Sequence, residues 1–314
     1  MHNLGKDIAH AASLLKEGEL VVIPTETVYG LAANAFDPSA VDKIYILKNR
    51  PRTNPLILHI SGIDQADRYA SDIPEVARLL MEHFWPGPLT VLLPKTKLVP
   101  DYITAGSKNV ALRVPRKKIT LNLLKSLDFP LVAPSANPFT YISPTRPEHL
   151  FYCYGAETPY VLDGGPCEEG IESTIVGFEE DKIIVYRPGA ITFEALEKVT
   201  EKTVVLFNKK TDTEVTPGMH YKHYSPKTTV ILESINNIES LKLDNAGWIT
   251  FTKELNKPNA FYLGKNGISS AASQLYDTLY KMDAMELSTI VIEKLPETEL
   301  GRSIMDRLKR STSK

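Results

Sequence analysis

The sequence predicts an α/β protein in two parts. Short apolar runs of strand type alternate with stretches of helical spacing, and run after run ends in a polar loop rich in ligand-type side chains. From residue 209 to 226 the apolar periodicity lapses into proline, glycine and polar residues, and a second alternation of strand and helix begins beyond it. A chain of 314 residues is long enough to bury a core in each part.

Leu4, Ile8, Ala11, Ala12 and Leu15 fall at helical spacing, and Gly18 follows as a stop. Leu20-Val21-Val22-Ile23 is then a short buried strand ending at Pro24. Asp37 caps a second helix with Pro38 at its first position, and Val41, Ile44 and Leu47 form its apolar stripe. This helix delivers Lys48 and Arg50 at its C-terminal end, where the helix dipole by itself already favours cations. Residues 56–60 read as a strand, 73–84 as a helix closed by Trp85-Pro86-Gly87-Pro88, and 89–93 and 110–114 as strands. Arg113 is a charge inside the last of these, between Leu112 and Val114. A buried arginine needs a partner, either a structural carboxylate or that of a ligand.

Leu131-Val132-Ala133 runs into a loop carrying Ser135 and Asn137, and Tyr160-Val161-Leu162 into Asp163-Gly164-Gly165. Residues 175–176 and 183–185 continue the sheet, and Tyr186-Arg187-Pro188-Gly189 sets another arginine at a strand end. A cleft along this rim is the expected site. The expected division is a first domain over residues 1–207, a linker over 208–227 and a C-terminal domain over 228–314. In the last, strands at 229–232, 247–251 and 289–292 alternate with helices at 268–282 and 300–308, which predicts a small Rossmann-like parallel sheet. It carries no dinucleotide fingerprint.

Composition excludes several classes. A formal charge of −2 gives no global attraction for nucleic acid, so any polyanion must be held by a local cluster such as Lys48, Arg50 and Arg52. No apolar run approaches the ~18 residues that span a bilayer, and the N-terminus lacks the build of a signal peptide, so a cytoplasmic protein without membrane partners is expected. Cys153 and Cys167 are the only cysteines and sit in no CxxC or Cys/His cluster; they read as structural or incidental thiols. His220 and His223 lie in the proline-bounded linker without a third ligand, so they read as polar contacts and no protein metal site is expected.

Two loops carry the chemistry. Lys48-Asn49-Arg50-Pro51-Arg52-Thr53-Asn54-Pro55 and Pro134-Ser135-Ala136-Asn137 with Ser143-Pro144-Thr145 pack cations and hydrogen-bonding side chains between prolines, as rigid anion-holding loops would. There is no GxxxxGK[ST] and no GxSxG, so neither a Walker cradle nor a hydrolase elbow is present.

Together with Ile23-Pro24-Thr25-Glu26-Thr27-Val28-Tyr29-Gly30-Leu31, Asp163-Gly164-Gly165 and Gly170-Ile171-Glu172-Ser173-Thr174, these segments resemble the Sua5/YrdC family, the threonylcarbamoyl-AMP synthases. The linker stretch from Pro217 to Pro226 makes the chain similar to the longer, two-domain Sua5 type. The resemblance implies a YrdC-like twisted mixed sheet with a large open cleft. It implies a nucleotidyltransferase that joins L-threonine, bicarbonate or CO2, and ATP into threonylcarbamoyl-adenylate and pyrophosphate, the first step toward N6-threonylcarbamoyladenosine at position 37 of tRNAs. Residue by residue, it implies ATP contacts at Lys48, Arg50, Asn54, Asn109, Ser135, Asn137, Ser143, Arg187 and Tyr224, with Lys48 and Arg50 catalytic. Threonine is expected at Thr27, His59, Arg113, Ala133 and Ser173. Mg2+ is expected on the ATP phosphates, with the product passed to a tRNA threonylcarbamoyl transferase complex and no requirement for direct tRNA binding.

Tyr221, His223 and Tyr224 either pack on the first domain or cover the ATP site as a lid; the resemblance implies the lid. Asn49 stands where the family often has glycine, and Phe139-Thr140-Tyr141 replaces a stretch that commonly includes one. The alternative from another class is an RNA-binding or ribosome-maturation protein of the same fold, which would want dispersed cations with stacking aromatics. Related enzymes that use carbamoyl phosphate carry zinc-finger and acylphosphatase-like segments not found in this sequence.

Overall fold

The strand at 57–59 shows how the fold is assembled: flanked by polar loops and apolar on both faces, it can only be interior. The computed structural model describes residues 3–180, 182–207 and 223–312. In it Ile57–His59 lies inside a sheet of eleven strands. Their order is Leu4–Gly5, Tyr160–Leu162, Val21–Ile23, Gly30–Asn34, Leu131–Val132, Ile57–His59, Asn109–Arg113, Leu89–Pro94, Thr174–Glu179, Lys182–Arg187 and Thr203–Leu206. Parallel and antiparallel neighbours mix: Ile57–His59 runs parallel to Asn109–Arg113 and antiparallel to Leu131–Val132. The expected mixed sheet is therefore present, with Leu31, Leu58, Leu112, Val132 and Val176 in its buried core.

Register decides what meets at the rim. His59 pairs with Arg113 across parallel strands, so both side chains end on the same side of the sheet. Gly30 bridges Ser135, which draws the loop after Leu131–Val132 against the one after Val21–Ile23. The helix Pro38–Lys48 starts as its sequence demands, with the Asp37 carboxylate accepting from the Ser39 and Ala40 N–H groups. It ends at Asn49 in the left-handed region (φ 51°, ψ 44°). Asparagine is the side chain that best replaces glycine there, so the departure from the family's usual residue keeps the same turn.

The second part is a four-stranded sheet in the order Thr229–Glu233, Thr289–Glu293, Ala246–Thr250, Ala260–Tyr262, parallel throughout. Its helices Ile268–Asp283 and Glu299–Ser311 face the first sheet's rim. One apolar cluster there joins Val28, Ile142 and Ile171 to Tyr224, Leu275, Tyr276 and Leu279. Of the expected linker, residues 208–222, including His220 and Tyr221, lie outside the described residues. No helix among the described residues is long and apolar enough to cross a membrane.

Candidate active site

The segment after Val21–Ile23 is a turn held by its own hydroxyls. Thr25 Oγ1 accepts from the Thr27 and Val28 N–H groups at 3.2 Å each and donates to Val28 O at 2.6 Å. This presents Glu26 and Thr27 to Arg113. Arg113 Nη2 donates to Glu26 Oε1 at 2.7 Å and to Thr27 Oγ1 at 2.9 Å. Glu26 Oε2 accepts from Arg116 N at 2.9 Å. Burial pushes the Glu26 carboxyl upward, but the Arg113 charge together with the hydrogen bonds from Arg113 and the backbone outweighs it, and the group titrates below its ordinary range. The arginine that the sequence left between a structural and a ligand partner thus has a structural one on Nη2. Its Nε is buried with no partner among the described residues, so the guanidinium retains a donor for a second carboxylate.

His59 Nδ1 lies 3.2 Å from Ile57 O. A carbonyl only accepts, so Nδ1 carries the proton and Nε2 is left as an acceptor. Burial, and then the Arg113 charge, lower the imidazole to about 3, so it is neutral at any physiological pH. Ser173 Oγ shares a hydrogen bond with Thr90 Oγ1 at 2.8 Å and accepts from Arg187 Nη2 at 3.0 Å. Thr27, His59, Arg113, Ala133 and Arg187 all line one cavity, in which Ser135, Arg50, Glu172, His223 and Tyr224 also take part.

The cationic side is built from the two proline-bounded loops. Lys48 is buried, and its Nζ donates to the Ser135 and Asn137 carbonyls, tying one loop to the other. Burial and then the neighbouring Arg50 charge lower the Lys48 ammonium well below the usual lysine range. Arg50 Nη2 donates to Asn54 Oδ1 and to Pro55 O. Asn137 Nδ2 donates to the Pro138 and Tyr141 carbonyls at 2.9 Å, while Asn137 Oδ1 and Asn54 Nδ2 are buried without partners among the described residues. Ser143 Oγ donates to Glu172 Oε1 at 2.6 Å. With its proton so committed, the Ser143 hydroxyl is left with acceptor lone pairs only, suited to a ribose hydroxyl or a metal-bound water more than to a bare phosphate oxygen.

Cations dominate the cavity. Arg50, Arg113 and Arg187 stand against one lining carboxylate, Glu172. Arg187 is lowered by burial and by the Arg307 and Arg113 charges beside it, despite the opposing pull of Tyr224 and Glu172. His223 is held neutral by burial and by Arg50, Lys48 and Arg187 around it. Such a surplus of buried positive charge calls for an anion.

The profile of the family described as telomere recombination, Sua5/YciO/YrdC, matches residues 13–189, and that of the threonylcarbamoyl-AMP synthase C-terminal domain matches 191–313. The chain belongs to the Sua5/YrdC family of threonylcarbamoyl-AMP synthases. The threonylcarbamoyl-AMP synthase of Pyrococcus abyssi is 37% identical, with 96% of this chain and 93% of that protein covered. That of Bacillus subtilis is also 37% identical, over 97% and 92%. The crystal structure of P. abyssi Sua5 complexed with L-threonine superposes with a TM-score of 0.91, covering 97% of this chain and 94% of that one.

Of the expected site residues, Thr27, Arg50, His59, Arg113, Ala133, Ser135, Arg187 and Tyr224 line the cavity, while Lys48, Asn54, Asn137, Ser143 and Ser173 join it one hydrogen bond or more behind that lining. Asn109 begins the strand that Arg113 ends, roughly 13 Å along it. It does not line the cavity, and a nucleotide would have to extend beyond the cavity to reach it. Four participants went unread in the sequence: Glu26, Glu172, Tyr276 and Arg307. Glu26 could have been found by asking which carboxylate partners Arg113. The other three meet only through tertiary contact, Tyr276 and Arg307 reaching Glu172 from more than a hundred residues away.

Proposed function

We propose that the chain forms threonylcarbamoyl-adenylate and pyrophosphate from L-threonine, bicarbonate or CO2, and ATP. The observation that carries this reading is the joining of two unlike half-sites in one cavity: an arginine with an unpartnered buried Nε beside a neutral imidazole acceptor, and a cationic pair of loops. The first suits an amino acid's carboxylate and its N–H or O–H donors. The second suits a polyphosphate.

In this reading Arg113 takes the threonine carboxylate, while Thr27, Ala133 and Ser173 shape the pocket around the side chain. His59 Nε2 accepts from the amine or hydroxyl. The free amine attacks the carbon of CO2 or bicarbonate, forming the N–C bond of a carbamate and releasing a proton or water respectively. A carbamate oxygen then attacks the α-phosphorus, and the bond to the bridging oxygen breaks to release pyrophosphate. No protein nucleophile is needed, because positioning and neutralisation of the phosphates by Lys48 and Arg50, supported by Asn54, Ser135, Asn137 and Arg187, supply the catalysis. Carbamates are short-lived, so exclusion of water matters as much as charge.

No group of three or more His, Cys, Asp or Glu side chains among the described residues is arranged to hold a metal ion. Mg2+ would be held through the phosphate oxygens, where it would neutralise charge on the leaving group. The cavity measures about 40 Å³, far below the ~300 Å³ or more of a typical ligand pocket. His223 and Tyr224 are buried parts of its lining, so nucleotide entry would need this end of the linker to swing out and return as a lid. The product would pass to a tRNA threonylcarbamoyl transferase complex for modification at position 37.

The test is pyrophosphate release by the purified chain with ATP and magnesium, comparing threonine, serine and no amino acid, with and without bicarbonate. Release that needs both threonine and bicarbonate is the expected result. No release under any condition, with salt-sensitive RNA binding instead, would replace this reading by a binding protein of the same fold.

A further inference from the structure

We propose that Arg307, in the last helix, is a positioning residue for the nucleotide half of the site, and that the C-terminal domain thereby sets nucleotide affinity without setting threonine affinity. The inference rests on the synthase reading above and deepens it. Arg307 is 1% exposed. Its Nε donates to Glu172 Oε2 at 3.0 Å, Nη1 donates to Pro188 O, and the guanidinium lies 5.5 Å from the centroid of the Tyr224 ring. From the neighbouring helix, Tyr276 donates to the same Glu172 oxygen at 3.1 Å and stacks on Tyr224 at 5.8 Å between centroids. Glu172 Oε1 in turn takes the Ser143 proton.

Both ends of this network are nucleotide-side groups. One end is Ser143, whose acceptor state depends on an ionised and fixed Glu172. The other is Tyr224, whose φ of 61° is a left-handed conformation that a tyrosine keeps only where its surroundings over-determine it. Arg307 and Tyr276 supply those surroundings. The threonine half is held differently. Glu26 fixes Arg113, Ile57 O fixes His59, and Thr90 with Arg187 fixes Ser173, so every one of these supports belongs to the first sheet or its loops. Disturbing Arg307 therefore reaches the nucleotide half directly through Ser143 and Tyr224 and the threonine half only at Ser173, through the neighbouring Glu172 and Arg187, leaving the Arg113 and His59 anchors in place.

Arg307→Ala would leave Glu172 buried without its main counter-charge and invites misfolding. The informative variant is the double replacement Glu172→Gln with Arg307→Met, which removes both charges at similar volume. Tyr276→Phe, which removes only the hydroxyl, serves if the double variant does not melt cooperatively. Calorimetric titration with L-threonine, and the KM for Mg-ATP in pyrophosphate release, are read on the full chain. The expected result is a threonine Kd within about twofold of the parent and an ATP KM raised about tenfold in the double variant, or about threefold in Tyr276→Phe. Arg307→Lys, which keeps the charge but not the fork, should fall between parent and double variant. A folded variant with both constants unchanged, or with both raised equally, overturns the proposal. If the parent chain itself neither binds threonine nor releases pyrophosphate, the synthase reading fails first and the proposal with it.

Discussion

At the scale of single residues the site is a contest between burial and charge, and an arginine and a lysine show how it is resolved. Arg113 is paired and can be tested by what the pair tolerates. Arg113→Ala strands the Glu26 carboxylate at zero exposure and should cost about 3–5 kcal/mol of stability. Arg113→Lys keeps the charge and the fold but loses the planar fork, and threonine titration should show at least a tenfold weaker Kd with ATP binding little changed. Equal loss of both ligands would make the arginine purely structural. Lys48 is the opposite case, a buried ammonium with only backbone carbonyls as partners among the described residues. Lys48→Met removes the cost of desolvating that charge but leaves the Ser135 and Asn137 carbonyls without their donor, so the melting temperature should change little while turnover falls at least a hundredfold. A variant that keeps its turnover would remove Lys48 from the phosphate cradle.

At the scale of elements, the helix Pro38–Lys48 was legible because its signals are local: a capping aspartate, a proline at the first position and a stripe of apolar residues. Its end is legible in retrospect. Asn49 N–H bonds to Ile46 O at 3.1 Å and Arg50 N–H to Tyr45 O at 2.9 Å, a left-handed cap that aims Arg50 into the cavity. Asn49→Gly should be neutral to slightly stabilising, whereas Asn49→Ala should lose about 1 kcal/mol and weaken ATP with it, as thermal melts and the ATP KM will show. The strand Gly30–Asn34 is not legible in the sequence because Leu31 is its only large apolar residue, and Gly30, Ala32 and Ala33 bury without announcing an apolar run. The helices Lys118–Lys125 and Pro147–Tyr154 are not legible either, their buried faces using Thr120 and His149 where an apolar stripe would be expected.

For the whole molecule, what the sequence could not disclose is how the two parts meet, because the groups involved are far apart in the chain and individually unremarked. His149 and Arg146 of the first part converge on Asp277 in the helix Ile268–Asp283: both His149 Nε2 and Arg146 Nε lie 3.1 Å from Oδ1, and Lys281 Nζ 2.8 Å from Oδ2. His149 Nδ1 accepts from Thr145 N–H, so Nε2 bears the proton it gives to Asp277, and the imidazole stacks on Tyr280 at 3.9 Å. Burial alone would raise the Asp277 carboxyl, but the hydrogen bonds from His149 and Lys281 and the charge of Arg146 hold it well below the ordinary range. A carboxyl lower in the folded than in the unfolded chain binds its proton preferentially when unfolded. Its stabilising contribution is therefore complete above the unfolded value near pH 4 and is lost as pH falls toward the folded one. Asp277→Asn should accordingly be less stable than the parent by ~2 kcal/mol at pH 7, with the gap closing between about pH 4 and pH 2 in urea melts. A gap that stays constant across that range would mean that Asp277 holds the two parts together by shape and not by charge.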